Sequence, residues 1–266
     1  MKELLRKIFK RRGPLNLNKI KRQLNNPPKM KIKTLELGIT IEDFKGIKIY
    51  HINHHTDKHL IYLHGGGYIH GLNHLHFRLC RALSKKLSLN ISLIDYPLLP
   101  DSTGLESSQI VYDYIKKMNR PYYLMGDSAG GGLALALFEY GIQPIKTVLL
   151  SPWLDVSMSN PQIKDYIDKD YILDYDSLKL LGQQWARSTQ IDNPKVSPIN
   201  RTFNHADILL IGGGNELFVP DFRALKGNNV KYLEYENMFH DFALFSNMGL
   251  KEADDSFDKI LSFLED

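Results

Sequence analysis

One cysteine, Cys80, stands in 266 residues, which excludes an internal disulfide and fits a reducing compartment. No apolar run approaches the roughly 18 residues that span a bilayer, so stable membrane insertion is not expected. The opening stretch, Met1 to Arg12, is basic but lacks the apolar centre of a signal peptide, and the expected location is the cytoplasm. Beyond residue 34 acidic and basic residues mix evenly and leave no basic groove. A nucleic-acid partner is therefore not expected, despite a net charge of +4. Eight of the ten histidines crowd between His51 and His76, yet metal-ligand spacings such as H-E-x-x-H are missing and Cys80 is the only thiol. Neither a metal nor an organic cofactor is expected, and no internal repeat is found.

What is present suits one large α/β domain over residues 1–266. Hydrophobic residues make up 43% and charged ones 24%, enough for a full core. Much of the excess Lys and Arg lies before residue 34, where Leu4, Leu5, Ile8 and Phe9 have helical spacing. An arm for nucleic acid or anionic lipid is one reading; a solvated amphipathic helix packed on the body is preferred. After a break at Pro27-Pro28, alternation from Lys33 and a turn at Asp43 to Gly46 predict an antiparallel hairpin at a sheet edge. A buried-type strand is expected at Leu60–Leu63, and further strands at Ile91–Asp95, Tyr122–Met125, Lys146–Ser151, Ile208–Ile211 and Val230–Tyr235. Helical spacing falls between them at Phe77–Leu87, Ser107–Met118 and Gly132–Phe138, and again at 251–264. This alternation predicts a mostly parallel, doubly wound sheet. Residues 155–200 break the pattern and read as an insertion over the sheet, with a helix near Ser177–Arg187.

The chain is organised around Gly126-Asp127-Ser128-Ala129-Gly130, a sharp corner between an apolar strand and a small-residue helix. A serine there is pushed out of the sheet edge on a strained backbone. Gly126 and Gly130 are required because a Cβ at either place would strike the neighbouring strand or helix. The helix that follows turns its first amides toward the same point. That is the strand–turn–helix context of a nucleophile elbow. A second glycine-rich corner, His64-Gly65-Gly66-Gly67-Tyr68, follows the Leu60–Leu63 strand. Two of its amides, joined by that of Ala129, would hold a tetrahedral oxyanion. No Lys-Ser or Lys-Thr follows the glycines, which argues against a phosphate loop.

A serine hydroxyl is inert without a base. His240 lies just past the last expected strand and is the candidate. Three carboxylates compete to orient it: Asp155, Glu216 and Asp221. Glu216 is assigned, because it lies within a few residues of a strand's carboxyl end and reaches further than Asp. Asp221 would more naturally cap a helix, and Asp155 belongs to a segment whose role looks structural.

With these motifs in hand, the chain resembles the hormone-sensitive-lipase-like branch of the α/β-hydrolases, small carboxylesterases with an HGGG motif. Gly126 to Gly131 is similar to that family's GDSAGG, Asp95 to Asp101 to its Y-x-L-A-P-E segment, and Ser151 to Asp155 to a recurring S-P-W-x-D. The resemblance runs from about residue 58 to 242. Around the acid the family's D-P-L is replaced by Gly213-Gly214-Asn215-Glu216-Leu217. The resemblance implies helical cap segments, which residues 1–30 and about 155–200 would supply. The expected function is a serine carboxylesterase acting on small, short-acyl esters. Ser128, Glu216 and His240 would be catalytic, with Gly65, Gly66, Gly67 and Ala129 as the oxyanion hole. An amidase or formamidase would use the same parts. A non-catalytic binding protein on this fold would tend to lose its serine or histidine, and both are present.

Overall fold

Three strands that read as unbroken apolar runs, β3 (His59–Leu63), β6 (Thr147–Leu150) and β7 (Ile208–Gly213), are buried at every residue. Such strands need helices on both faces of the sheet. The computed structural model describes residues 2–12, 17–25, 39–54 and 56–266, and supplies that arrangement. The expected break at Pro27-Pro28 and the alternation from Lys33 to Gly38 lie outside the described residues.

The described strands form one eight-stranded sheet in the order β1-β2-β4-β3-β5-β6-β7-β8. The remaining strands are β1 (Ile39–Phe44), β2 (Ile47–Ile52), β4 (Asn90–Asp95), β5 (Tyr123–Asp127) and β8 (Val230–Tyr235). β1 and β2 form the expected edge hairpin, with Phe44 opposite Ile47. Lys45 and Gly46 turn it at φ 51 and 82, the doubly left-handed pair that a tight hairpin demands. β2 pairs antiparallel with β4, and every later pairing is parallel.

Within β3 the two faces separate by a period of two. Leu60 and Tyr62 join the core under α3 (His74–Leu87) and α8 (Lys251–Glu265). Ile61 and Leu63 join the core under α4 (Gly104–Met118) and α5 (Ser128–Ala136). All nine residues of α5 are buried, as its lack of any polar face requires. α3 and α4 each start three residues before the expected starts at Phe77 and Ser107. Asn73 with His76, and Thr103 with Glu106, form capping boxes that draw the helix start upstream.

Residues 155–200 fold as 3-10 turns at Pro161–Tyr166 and Pro198–Asn200 around α6 (Tyr175–Trp185), which Asp174 caps. α1 (Lys2–Arg12) and α2 (Leu17–Asn25) precede the sheet, and α2 packs on α6 through the fully buried Ile20. A short α7 (Val219–Ala224) follows β7. The chain passes from β3 outward to β4 and then back across to β5, so the loops leaving β3 and β5 part on opposite faces of the sheet. That switch point, at the strands' carboxyl ends, is where open α/β sheets place their sites.

Candidate active site

Ser128 begins α5 at φ 48, a left-handed conformation that costs a non-glycine residue free energy. Its neighbours impose that corner. A Cβ on Gly126 would lie 2.5 Å from Gly130 O, and one on Gly130 would overlap Leu63 O. The strain lifts Ser128 Oγ off the sheet to within 2.9 Å of His240 Nε2. His240 Nδ1 in turn donates to Glu216 Oε2 at 2.7 Å. All three side chains are buried. Glu216 has no exposed surface, so its charge depends on protein donors. Ser151 Oγ donates to Glu216 Oε1 at 2.7 Å, and the Gly213 amide donates to the same oxygen.

The loops that carry Glu216 and His240 brace each other. Gly214 N donates to Tyr235 O at 2.8 Å and Asn215 N to Met238 O at 3.0 Å. A Cβ on Gly213 would sit 2.6 Å from Met238 O, so only glycine permits this approach. The Phe218 and imidazole rings pack in a T-shaped pair, with centroids 5.4 Å apart. Asp170, from the insertion, accepts from Leu217 N at 2.9 Å. Burial pushes its carboxyl up to about 6.

The other two candidate acids lie elsewhere. Asp155 accepts from the amides and hydroxyls of Ser157 and Ser159 at 2.5–2.8 Å, which closes its own turn. Asp221 sits in the first turn of α7, where Asn160 donates to it at 2.9 Å.

Ser128 and His240 stand in a cavity of about 190 Å³ whose apolar walls are Ile20, Ile69, Ile172, Leu173, Leu178 and Leu181. Gly66 and Gly67, at φ 115 and 62, form part of the same wall. The Gly66 carbonyl is drawn into a turn by the amides of Ile69 and His70 at 3.2 and 3.0 Å. Across a trans peptide, the Gly67 N–H therefore points away from that turn. Gly65 lies behind the wall, where a Cβ would come 3.0 Å from Ser128 Cβ. Ala129 is fully buried at the start of α5. A wider surface groove of about 510 Å³ between Phe138 and Ala206 contains neither Ser128 nor His240.

The clustered histidines mostly support the scaffold. His51 and His59 both reach Ser92 Oγ, at 3.0 and 2.9 Å. Burial holds His59 and His64 down at about 4. His70 bonds Gln23 of α2 at 3.0 Å. His76 Nε2 lies 3.3 Å from Asp127 Oδ2, and Tyr62 donates to Asp127 Oδ1 at 2.6 Å. Burial pushes the Asp127 carboxyl up, but His76 and Tyr62 more than offset it and leave it below the usual range. Sequence reading did not reach Ser151, Asp170, His76 or Asp241. Only Ser151, at the end of an expected strand, carried a signal that would have found it.

A profile of the α/β-hydrolase fold matches residues 60–244. The chain is 29% identical over 199 residues to an acetyl-hydrolase of Streptomyces hygroscopicus, across 68% of this chain and 67% of that protein. It is 26% identical over 197 residues to a triacylglycerol lipase of Mycobacterium tuberculosis, across 68% of this chain but 40% of that longer protein. The crystal structure of a hormone-sensitive lipase from a metagenome library superposes with a TM-score of 0.79 at 23% identity. That superposition covers 98% of this chain and 96% of the other.

Proposed function

This chain belongs to the α/β-hydrolase fold family, and we propose that it is a serine carboxylesterase cleaving small, short-acyl esters through an acyl-enzyme. The observation that carries this reading is the hydrogen-bonded line from Ser128 through His240 to Glu216, at 2.9 and 2.7 Å, on the floor of an apolar cavity. His240 Nε2 takes the Ser128 proton as Oγ attacks the ester carbonyl, then gives it to the departing alkoxide. Glu216 fixes the tautomer that leaves Nε2 free and offsets the positive charge that forms on the ring. The amides of Gly66, Gly67 and Ala129 stabilise the oxyanion, and Gly65 lets their loop approach the serine. Water, activated by the same histidine, releases the acid.

A cavity of about 190 Å³ is smaller than the roughly 300–1,000 Å³ typical of drug-sized ligands, which favours short acyl chains. α2 and α6 close it over the serine, and in this reading they act as the cap. The relative named an acetyl-hydrolase is in keeping with a two-carbon acyl group. The test is a series of p-nitrophenyl esters from acetate upward, run beside fluorophosphonate labelling and peptide mapping. Labelling at Ser128, with hydrolysis lost in Ser128→Ala and falling with acyl length, is expected. Full activity in Ser128→Ala ends this reading.

A further inference from the structure

His240 Nε2, the nitrogen that faces Ser128, has a second neighbour. Asp241 Oδ2 lies 3.2 Å from it, against 2.9 Å for Ser128 Oγ. The backbone aims this carboxylate: Asp241 sits at φ 58, a region that Asp and Asn enter more readily than most residues. Its own N–H donates to Ser151 Oγ at 3.1 Å. Asp241 Oδ1 is buried and has no hydrogen-bond partner among the described residues. The imidazole is therefore what holds the side chain, which lines the cavity beside Ser128 and His240.

Two arrangements of protons are open to this cluster. For His240 to act as a base, Nε2 must be bare, with its one N–H on Nδ1 for Glu216. A carboxylate oxygen 3.2 Å from a bare ring nitrogen then sets lone pair against lone pair. A proton between them removes the repulsion, and once there it blocks Nε2 from accepting the Ser128 hydroxyl. We propose that Asp241 is a positioning residue that competes with Ser128 for His240 Nε2 and holds the resting histidine as an imidazolium. The site must then release one proton, through the cavity to solvent, before Ser128 can be activated. This rests on the assignment of Ser128 and His240 as nucleophile and base.

Other carboxylates surround this pair. Glu216 faces Nδ1 from the loop after β7. Asp170 approaches from the insertion, Asp127 raises Asp241 from below the elbow, and Asp241 in turn helps to raise the buried Tyr62 hydroxyl. Asp174 and His70 stand elsewhere along the cavity wall. Burial alone would lower His240, but Asp241 and then Glu216 outweigh it and raise the ring well above its usual value. Burial pushes Asp241 itself up to about 7. Of the two carboxylates that bond the imidazole, only Asp241 is on the serine side, so removing it tests the competition without touching the Glu216 bond.

The experiment compares the pH dependence of kcat/KM for p-nitrophenyl acetate in wild type, Asp241→Asn and Asp241→Gly, both of which tolerate the positive φ. The acid limb should move down by about one pH unit in both variants, roughly a tenfold gain in relative activity on the acid side. A limb that stays put in a folded variant overturns the proposal. Histidine NMR of the wild-type protein gives a readout independent of turnover and of the variants' folding. An imidazolium signal for His240 at pH 7 supports the competition, and a neutral ring there overturns it. If Ser128→Ala remains active, the esterase reading has failed instead, and the NMR result still decides the state of His240.

Discussion

Ser151 Oγ donates to Glu216 Oε1 at 2.7 Å and accepts the backbone N–H of Asp241 at 3.1 Å. One hydroxyl at the end of β6 thus joins the loop that carries Glu216 to the loop that carries His240. Removing it leaves the Gly213 amide as the donor to a buried carboxylate oxygen. Hydrogen bonds to charged groups contribute about 1.5–3 kcal/mol. Ser151→Ala should therefore lower kcat/KM by on the order of tenfold or more while the protein stays folded, as steady-state kinetics beside circular dichroism will show. Unchanged turnover would mean that this bond has no part in holding Glu216.

The acid is separated from its competitors by substitution. Glu216→Gln should reduce turnover by as much as about 10⁴-fold, because the histidine loses the partner that selects its tautomer. Asp155→Asn and Asp221→Asn should keep turnover within a few-fold, since their carboxylates serve a local turn and Asn160. A collapse in either Asn variant with near-native Glu216→Gln would reassign the acid and leave Ser128 and His240 in place.

Asp221 makes a prediction about stability. Burial pushes its carboxyl from the ordinary 3.8 up to about 7, and Oδ2 has no hydrogen-bond partner among the described residues. The folded protein therefore binds this proton more tightly than the unfolded chain does. Stability from this group is present below about pH 4 and is lost as pH rises through 7. Asp221→Asn keeps the Asn160 bond without the charge. It should raise Tm at pH 8 and change it little at pH 4, measured by thermal melts at both pH values. An equal shift at both would show that the carboxylate charge is not the cause.

On the proposed esterase reading, the cavity walls should set acyl length. Leu181 and Ile20 are buried and line it from α6 and α2. Truncating either to Ala removes apolar volume facing the serine, at a cost of about 2–5 kcal/mol in stability. The ratio of octanoate to acetate hydrolysis should rise several-fold in each. If the Ile20 variant keeps the wild-type ratio, α2 does not shape the acyl site.

Deleting residues 1–30 is the coarser version of the same test. It should alter chain-length preference or expose an apolar face that binds a hydrophobic dye. A soluble protein of unchanged selectivity would make this segment a tail.

Much of this was legible in the residues themselves, because strand period, turn chemistry and glycine sterics act between near neighbours in the chain. The apolar runs, the two glycine corners and Ser128 needed no tertiary information, and the doubly wound sheet followed from their alternation. The helix starts at His74 and Gly104 were misjudged by three residues, since apolar spacing is silent about a capping side chain. What depends on reach between distant loops was decided by the fold alone. Sheet register and paired loops bring Glu216, and neither Asp155 nor Asp221, to His240 Nδ1. They set Gly66 and Gly67 on the cavity wall with Gly65 behind them. They also turn Asp241, an unremarked neighbour in sequence, toward the nitrogen that faces Ser128. A carboxylate's role is fixed by a few ångströms of position, and those ångströms are set by strands whose order in the sheet is not their order in the chain.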